Sequence, residues 1–202
     1  MLWLALALFL QTPQIGWQEH NRLGEEAFRA GDMAASIRHF DQAIQAEPRL
    51  GPHHWQRGIS LYYAGRYQDC AKQFVIHRTV NPEDVENAVF HYLCVAGAGG
   101  VPAARSGLIP IRQDARIPMM EVYAMYQGKS TPEKVLSAAA SGNPEGVEKQ
   151  NRFFYAHLYI GLWLHAAGDS AGAREHIGKA ANEYVAAHYM GDVARVHLKL
   201  AK

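Results

Sequence analysis

The stretch LGEEAFRAGDMAASIRHFDQAIQAEP, Leu23 to Pro48, is echoed 34 residues later by RGISLYYAGRYQDCAKQF, Arg57 to Phe74. At that one offset, residues pair in order: Gly24 with Gly58, Gly31 with Gly65, Ser36 with Cys70, Phe40 with Phe74, and Pro48 with Pro82. A period of this size marks stacked supersecondary units. The residue types suit a helix–turn–helix. A glycine at 24 and 58 lets a second helix approach closely, and a glycine at 31 and 65 suits a helix stop and turn. Phe40 and Phe74 supply apolar bulk on the second helix, and Pro48 and Pro82 end it.

This pattern resembles the tetratricopeptide repeat (TPR) family. In its register the first copies span 17–50 and 51–84. A degenerate third spans 85–118, where Gly99, Ala104 and Leu108 keep step while Tyr92 replaces the close-packing glycine and Ile109-Pro110 cuts the second helix short. A further copy spans 154–187, carried by Gly161, Gly168, Ala173 and Ile177. Residues 119–153 read as a degenerate helical hairpin: Met119 to Gln127 closed by Gly128, then a helix opened by Thr131-Pro132-Glu133. Residues 188–202 carry Val193, Val196 and Leu200 at helical spacing and read as a capping helix. The expected fold is all-α, a right-handed TPR superhelix (α-solenoid).

The resemblance implies a function as well as a fold. In TPR proteins the first helices of successive repeats line a concave groove that holds peptides. Carried over by position, that wall holds Gln18, Asn21, Glu25, Phe28 and Arg29 in the first copy. It holds Trp55, Ile59, Tyr62 and Tyr63 in the second, and Tyr155, Leu158, Leu162 and His165 in the last. Of these, Asn21, Phe28, Arg29, Trp55, Ile59, Tyr62, Tyr63, Leu158 and His165 are the expected partner-binding residues. Aromatic and arginine side chains dominate binding energy at interfaces. Glu25 has the wrong charge for a carboxylate clamp, so chaperone-type binding is not expected. The expected function is a non-enzymatic adaptor holding a peptide segment of a protein partner. The alternatives are a self-associating structural subunit and a histidine-using metal protein or small enzyme.

Composition narrows the field. The chain has 202 residues, with 20 Lys+Arg against 19 Asp+Glu, a formal charge of +1. No basic stripe exists to neutralise phosphates, so nucleic acid is not an expected partner. Two cysteines are too few for a disulfide scaffold or a four-cysteine zinc site. No apolar run approaches the roughly 20 residues that span a bilayer. Leu2 to Leu10 is wholly apolar, the length of a signal-peptide core, although no Lys or Arg precedes it and no clean cleavage site follows. Export to a periplasmic or extracellular space is expected, with residues 1–16 as the signal or an apolar N-terminal segment. A cytoplasmic chain is the alternative. In an exported chain Cys70 and Cys94 are candidates for a disulfide.

Motifs of catalysis are missing. Gly97 to Val101 lacks the third glycine of a dinucleotide loop, since Pro102 stands there. There is no phosphate-binding loop and no C-x-x-C. The 11 histidines form no H-E-x-x-H; His53 and His54 point about 100° apart on a helix, and His157 and His165 lie two turns apart. They read as scattered imidazoles, and neither a metal nor another cofactor is expected. Asp114 and Arg116, followed by Pro118, read as a local ion pair pinning a bend.

Overall fold

The computed structural model describes residues 15–200, so the reading of Leu2 to Leu10 lies outside the described residues. The chain is all-helical, with no strand among the described residues. The helices are α1 (Trp17–Ala30), α2 (Met33–Ala46), α3 (Trp55–Tyr63), α4 (Tyr67–His77), α5 (Val85–Gly99), α6 (Val101–Ser106), α7 (Met119–Tyr126), α8 (Pro132–Ala140), α9 (Gly146–Ala166), α10 (Ser170–Asn182) and α11 (Tyr189–Leu200). A 3₁₀ turn at Pro48–His53 joins α2 to α3.

The hairpins α1/α2, α3/α4 and α9/α10 each form around one missing side chain. A Cβ at Gly24 would lie 2.6 Å from the Phe40 ring, at Gly58 2.7 Å from Phe74, and at Gly161 2.4 Å from Ile177. The turns of the first and last hairpins repeat the same hydrogen-bond circuit. At Gly31 (φ +86°) the N–H donates to the Phe28 carbonyl, Asp32 N–H donates to Ala27, and the Asp32 carboxylate accepts from Ala35 N–H. At Gly168 (φ +86°) the N–H donates to His165, Asp169 N–H donates to Leu164, and the Asp169 carboxylate accepts from Gly172 N–H. Only a residue without Cβ takes that φ without strain.

Gly161→Ala is therefore expected to destabilise by about 1–3 kcal/mol through overpacking. Gly178→Ala, on the same hairpin with nothing within 4 Å of the added Cβ, is expected to stabilise by about 0.5–1 kcal/mol. Urea denaturation of the pair checks both; equal midpoints would refute the close-packing role of Gly161.

The middle of the chain departs from the periodic scheme. In 85–118 the second helix is only α6, six residues long, after which the chain runs without regular structure to Arg116. Tyr92 is fully buried and packs edge-to-face on Tyr126, 4.9 Å between centroids. The 119–153 hairpin consists of α7 and α8, with Gly128 (φ +77°) between them and Thr131 capping α8. The boundary placed at 154 falls inside α9, which already starts at Gly146 and runs for 21 residues; nothing between Val147 and Phe153 stops a helix.

Cys70 and Cys94 form a disulfide between α4 and α5, with Cα atoms 5.7 Å apart and both residues fully buried.

The last helix does more than cap α10. It packs on α1 as well. Arg29 of α1 pairs with Asp192 of α11 at 3.0 Å, and Lys199 donates to the carbonyl of Ala30. The first hairpin and the last described helix thus meet.

Candidate binding site

The residues carried over to the concave wall do converge, but on a helix of the same chain. Phe28 is fully buried and stacks on Tyr189, 5.0 Å between centroids. Trp55 meets the same ring edge-on at 5.2 Å. Tyr63 is hydrogen-bonded to Nδ1 of His197 at 3.1 Å, and His165 packs edge-to-face on His197 at 4.7 Å. Arg29 is held between Glu25 and Asp192. Tyr62 is buried against Tyr63 and Tyr67, while Leu158 and Leu162 are fully buried in the core. Asn21 stands apart on α1, with its Oδ1 buried and without a partner. The expectation of an open wall is corrected in one respect: α11 lies along it. The physical reason is that Tyr189, Val193, Val196 and His197 give α11 an apolar face that needs covering.

What stays open is a cleft of about 190 Å³ where α3, α4, α5 and α11 meet. Trp55 and Ile59, both expected site residues, form one wall, with Ile59 itself fully buried beneath it. Phe74 and His77 of α4, Glu86, Asn87 and Phe90 of α5, and Met190 of α11 complete it, with Asn81 and Asp84 at the rim. His77 is fixed by a 2.8 Å hydrogen bond to the Pro52 carbonyl, and Gln73 donates to the Gly51 carbonyl. The 3₁₀ turn is thereby tied to α4 and presents Trp55. Asn87 is 2% exposed, and neither its Nδ2 nor its Oδ1 has a hydrogen-bond partner. A buried amide in that state costs about 1–3 kcal/mol or more unless something meets it.

Beside the cleft one guanidinium sits among three carboxylates, two of which, Asp84 and Glu86, also line it. Arg116 reaches Asp84 and Asp114 at 2.6 Å and Glu86 at 2.7 Å. Asp114 also accepts from the Val85 N–H, and Asp84 caps α5 by accepting from the Glu86 N–H. Tyr159 donates to Glu86. The Arg116 guanidinium lies 5.9 Å from the Tyr155 ring centroid. Burial pushes the Glu86 carboxyl above the usual carboxylate range, against the pull of Arg116. The Asp114 carboxyl sits below its usual range: burial acts to raise it, and the hydrogen bonds from Arg116 outweigh that. The expected local ion pair is present, and it is also the clamp that ties the 107–116 segment to the start of α5. Beyond the rim, Asn81 and Asp84 continue into a polar groove along Glu83, Arg112, Gln113 and Asp114.

Sequence reasoning missed the α5 half of the cleft. Its signal was Asn87, a lone amide near the start of the apolar run from Val85 to Val95. The chain matches no family model, and no curated protein matches it in sequence.

Proposed function

We propose that this chain is a non-enzymatic protein-binding module built of TPR-like hairpins in a right-handed superhelix, in which α11 fills most of the concave wall and a partner's peptide segment enters the cleft beside Trp55. The observation that carries this reading is Asn87: a buried amide with both donor and acceptor unused matches the two hydrogen-bonding groups of an extended peptide backbone. The aromatic walls suit an anchor side chain. Asp84 and Glu86 line the cleft with no lysine or arginine among its walls, so that anchor is basic, able to meet Asp84 at its head and Trp55 along its stem. The Cys70–Cys94 disulfide supports an oxidising, extracytoplasmic location.

Selection from a random peptide library against the full chain tests this. Enriched sequences are expected to carry Lys or Arg at a fixed position, and Trp55→Ala is expected to weaken them about 30-fold, the equivalent of a 2 kcal/mol anchor. Peptides that bind Trp55→Ala and Asn87→Leu as well as the natural chain would place recognition elsewhere.

Self-association is a second reading with its own observation. Val75 and Ile76 near the end of α4, and Val80 in the turn after it, are 52%, 46% and 40% exposed. A mass that rises with concentration in light scattering, and falls back on Ile76→Lys, would favour it.

A further inference from the structure

Two pairs of histidines sit at equivalent places in the first and last hairpins. His20 of α1 faces His39 of α2, and His157 of α9 faces His176 of α10. Each pair is 19 residues apart, and both members shift by the same 137 positions between copies. The contact is the same atom on each ring, with Nδ1 to Nδ1 at 3.3 Å in the first pair and 3.0 Å in the second. From these duplicated contacts we infer that each pair is a two-imidazole site for a late first-row divalent cation of the Zn²⁺, Ni²⁺ and Cu²⁺ class.

The bite decides between a shared cation and mere proximity. With metal–nitrogen bonds of about 2.05 Å, nitrogens 3.0 Å apart subtend about 94° at the metal. Those 3.3 Å apart subtend about 107°. These fall between the square-planar and tetrahedral ideals, the range this class of cation adopts. Without a cation, one ring must carry the Nδ1 proton and donate it to the bare Nδ1 of the other. Binding replaces that single hydrogen bond with two coordinate bonds.

The surroundings keep lone pairs available. Burial lowers the pKa of His39, and the charges of His20 and Arg38 add to it. It lowers those of His157 and His176 too, which favours their neutral, lone-pair-bearing forms. His157 is held in place by stacking on Tyr184, 5.4 Å between centroids. Its partner His176 is only half-buried, so the second site is reached from solvent. Near it Glu133 and Glu175 bring negative charge, while Lys179 is paired with Glu175 at 2.7 Å. Among the described residues no third histidine, cysteine or carboxylate completes either set, so water fills the remaining positions.

The experiment is a Zn²⁺ titration of the full, untagged chain after chelator treatment, read by calorimetry. Two equivalents are expected. His39→Gln and His176→Gln, both at half-exposed positions, are each expected to lose one, and the double variant both, with helix content unchanged by circular dichroism. Independently of any variant, ¹⁵N spectra of the natural chain should show Zn²⁺ shifting the Nδ1 resonances of His20, His39, His157 and His176. No bound equivalents, binding that survives the double variant, or shifts confined to other histidines would overturn the inference.

Discussion

Between pH 7.5 and pH 5.0, in the presence of a chelator, the fold is expected to lose roughly 2 kcal/mol of stability for each of three buried histidines. Burial lowers the pKa of His54 to about 4, of His157 to about 4 and of His197 to about 3. Positive neighbours add to it: Arg57 for His54, His176 and Lys179 for His157, His165 and Arg174 for His197. In the unfolded chain these rings titrate near about 6.5. A depressed histidine pKa means that the unfolded state binds the proton first. Stability is therefore complete above about pH 6.5 and drains by about 1.4 kcal/mol per unit for each ring, until its folded value is reached. Together the rings give roughly 6 kcal/mol by pH 5, comparable to the whole stability of many domains. Glu86 runs the other way: its raised carboxyl pKa favours the fold on acidification and blunts the lower end of the curve. Urea denaturation across this range checks the total, and His197→Gln is expected to remove about a third of it. A curve that His197→Gln leaves unchanged would mean that α11 does not keep that ring dry.

Removing the Cys70–Cys94 disulfide is the next largest effect. The bond closes a loop of sequence separation 24, for which chain entropy gives about 3.5 kcal/mol at 25 °C. Cys70→Ala/Cys94→Ala is expected to lower the urea midpoint accordingly. Both cysteines are fully buried, so a reductant reaches the sulfurs only through an opened state. Reduction of the natural chain at low urea is thus expected to be slow and to speed up with denaturant. Equal midpoints for the oxidised and double-alanine chains would show that the bond adds nothing beyond the packing of α4 on α5.

Local chemistry was legible where a single position dictated it. Gly24, Gly58 and Gly161 announced close helix pairs because a missing Cβ leaves a periodic trace. Gly31 and Gly168 announced turns, and Thr131-Pro132 announced the start of α8. The helical fold followed from these. The boundary inside α9 was hidden, because the sequence from Gly146 onward holds no helix breaker and a repeat register says nothing about an extension. The site was legible by half. Trp55 and Ile59 were chosen by register, yet what faces them depends on α11, more than 130 residues away in the chain. Apolar spacing at Val193 and Val196 says that a helix has a buried face, not which neighbour buries it. Asn87 declares itself only when the three-dimensional arrangement shows that nothing meets its amide.

The contact between α1 and α11 changes how such an array comes apart. In an open stack each outermost unit has a neighbour on one side only, and unravelling begins there. Here Arg29–Asp192, Lys199 to Ala30 and Phe28 against Tyr189 make the outermost units neighbours of each other. Among the described residues neither α1 nor α11 loosens alone, because either one, on opening, gives up contacts that hold the other.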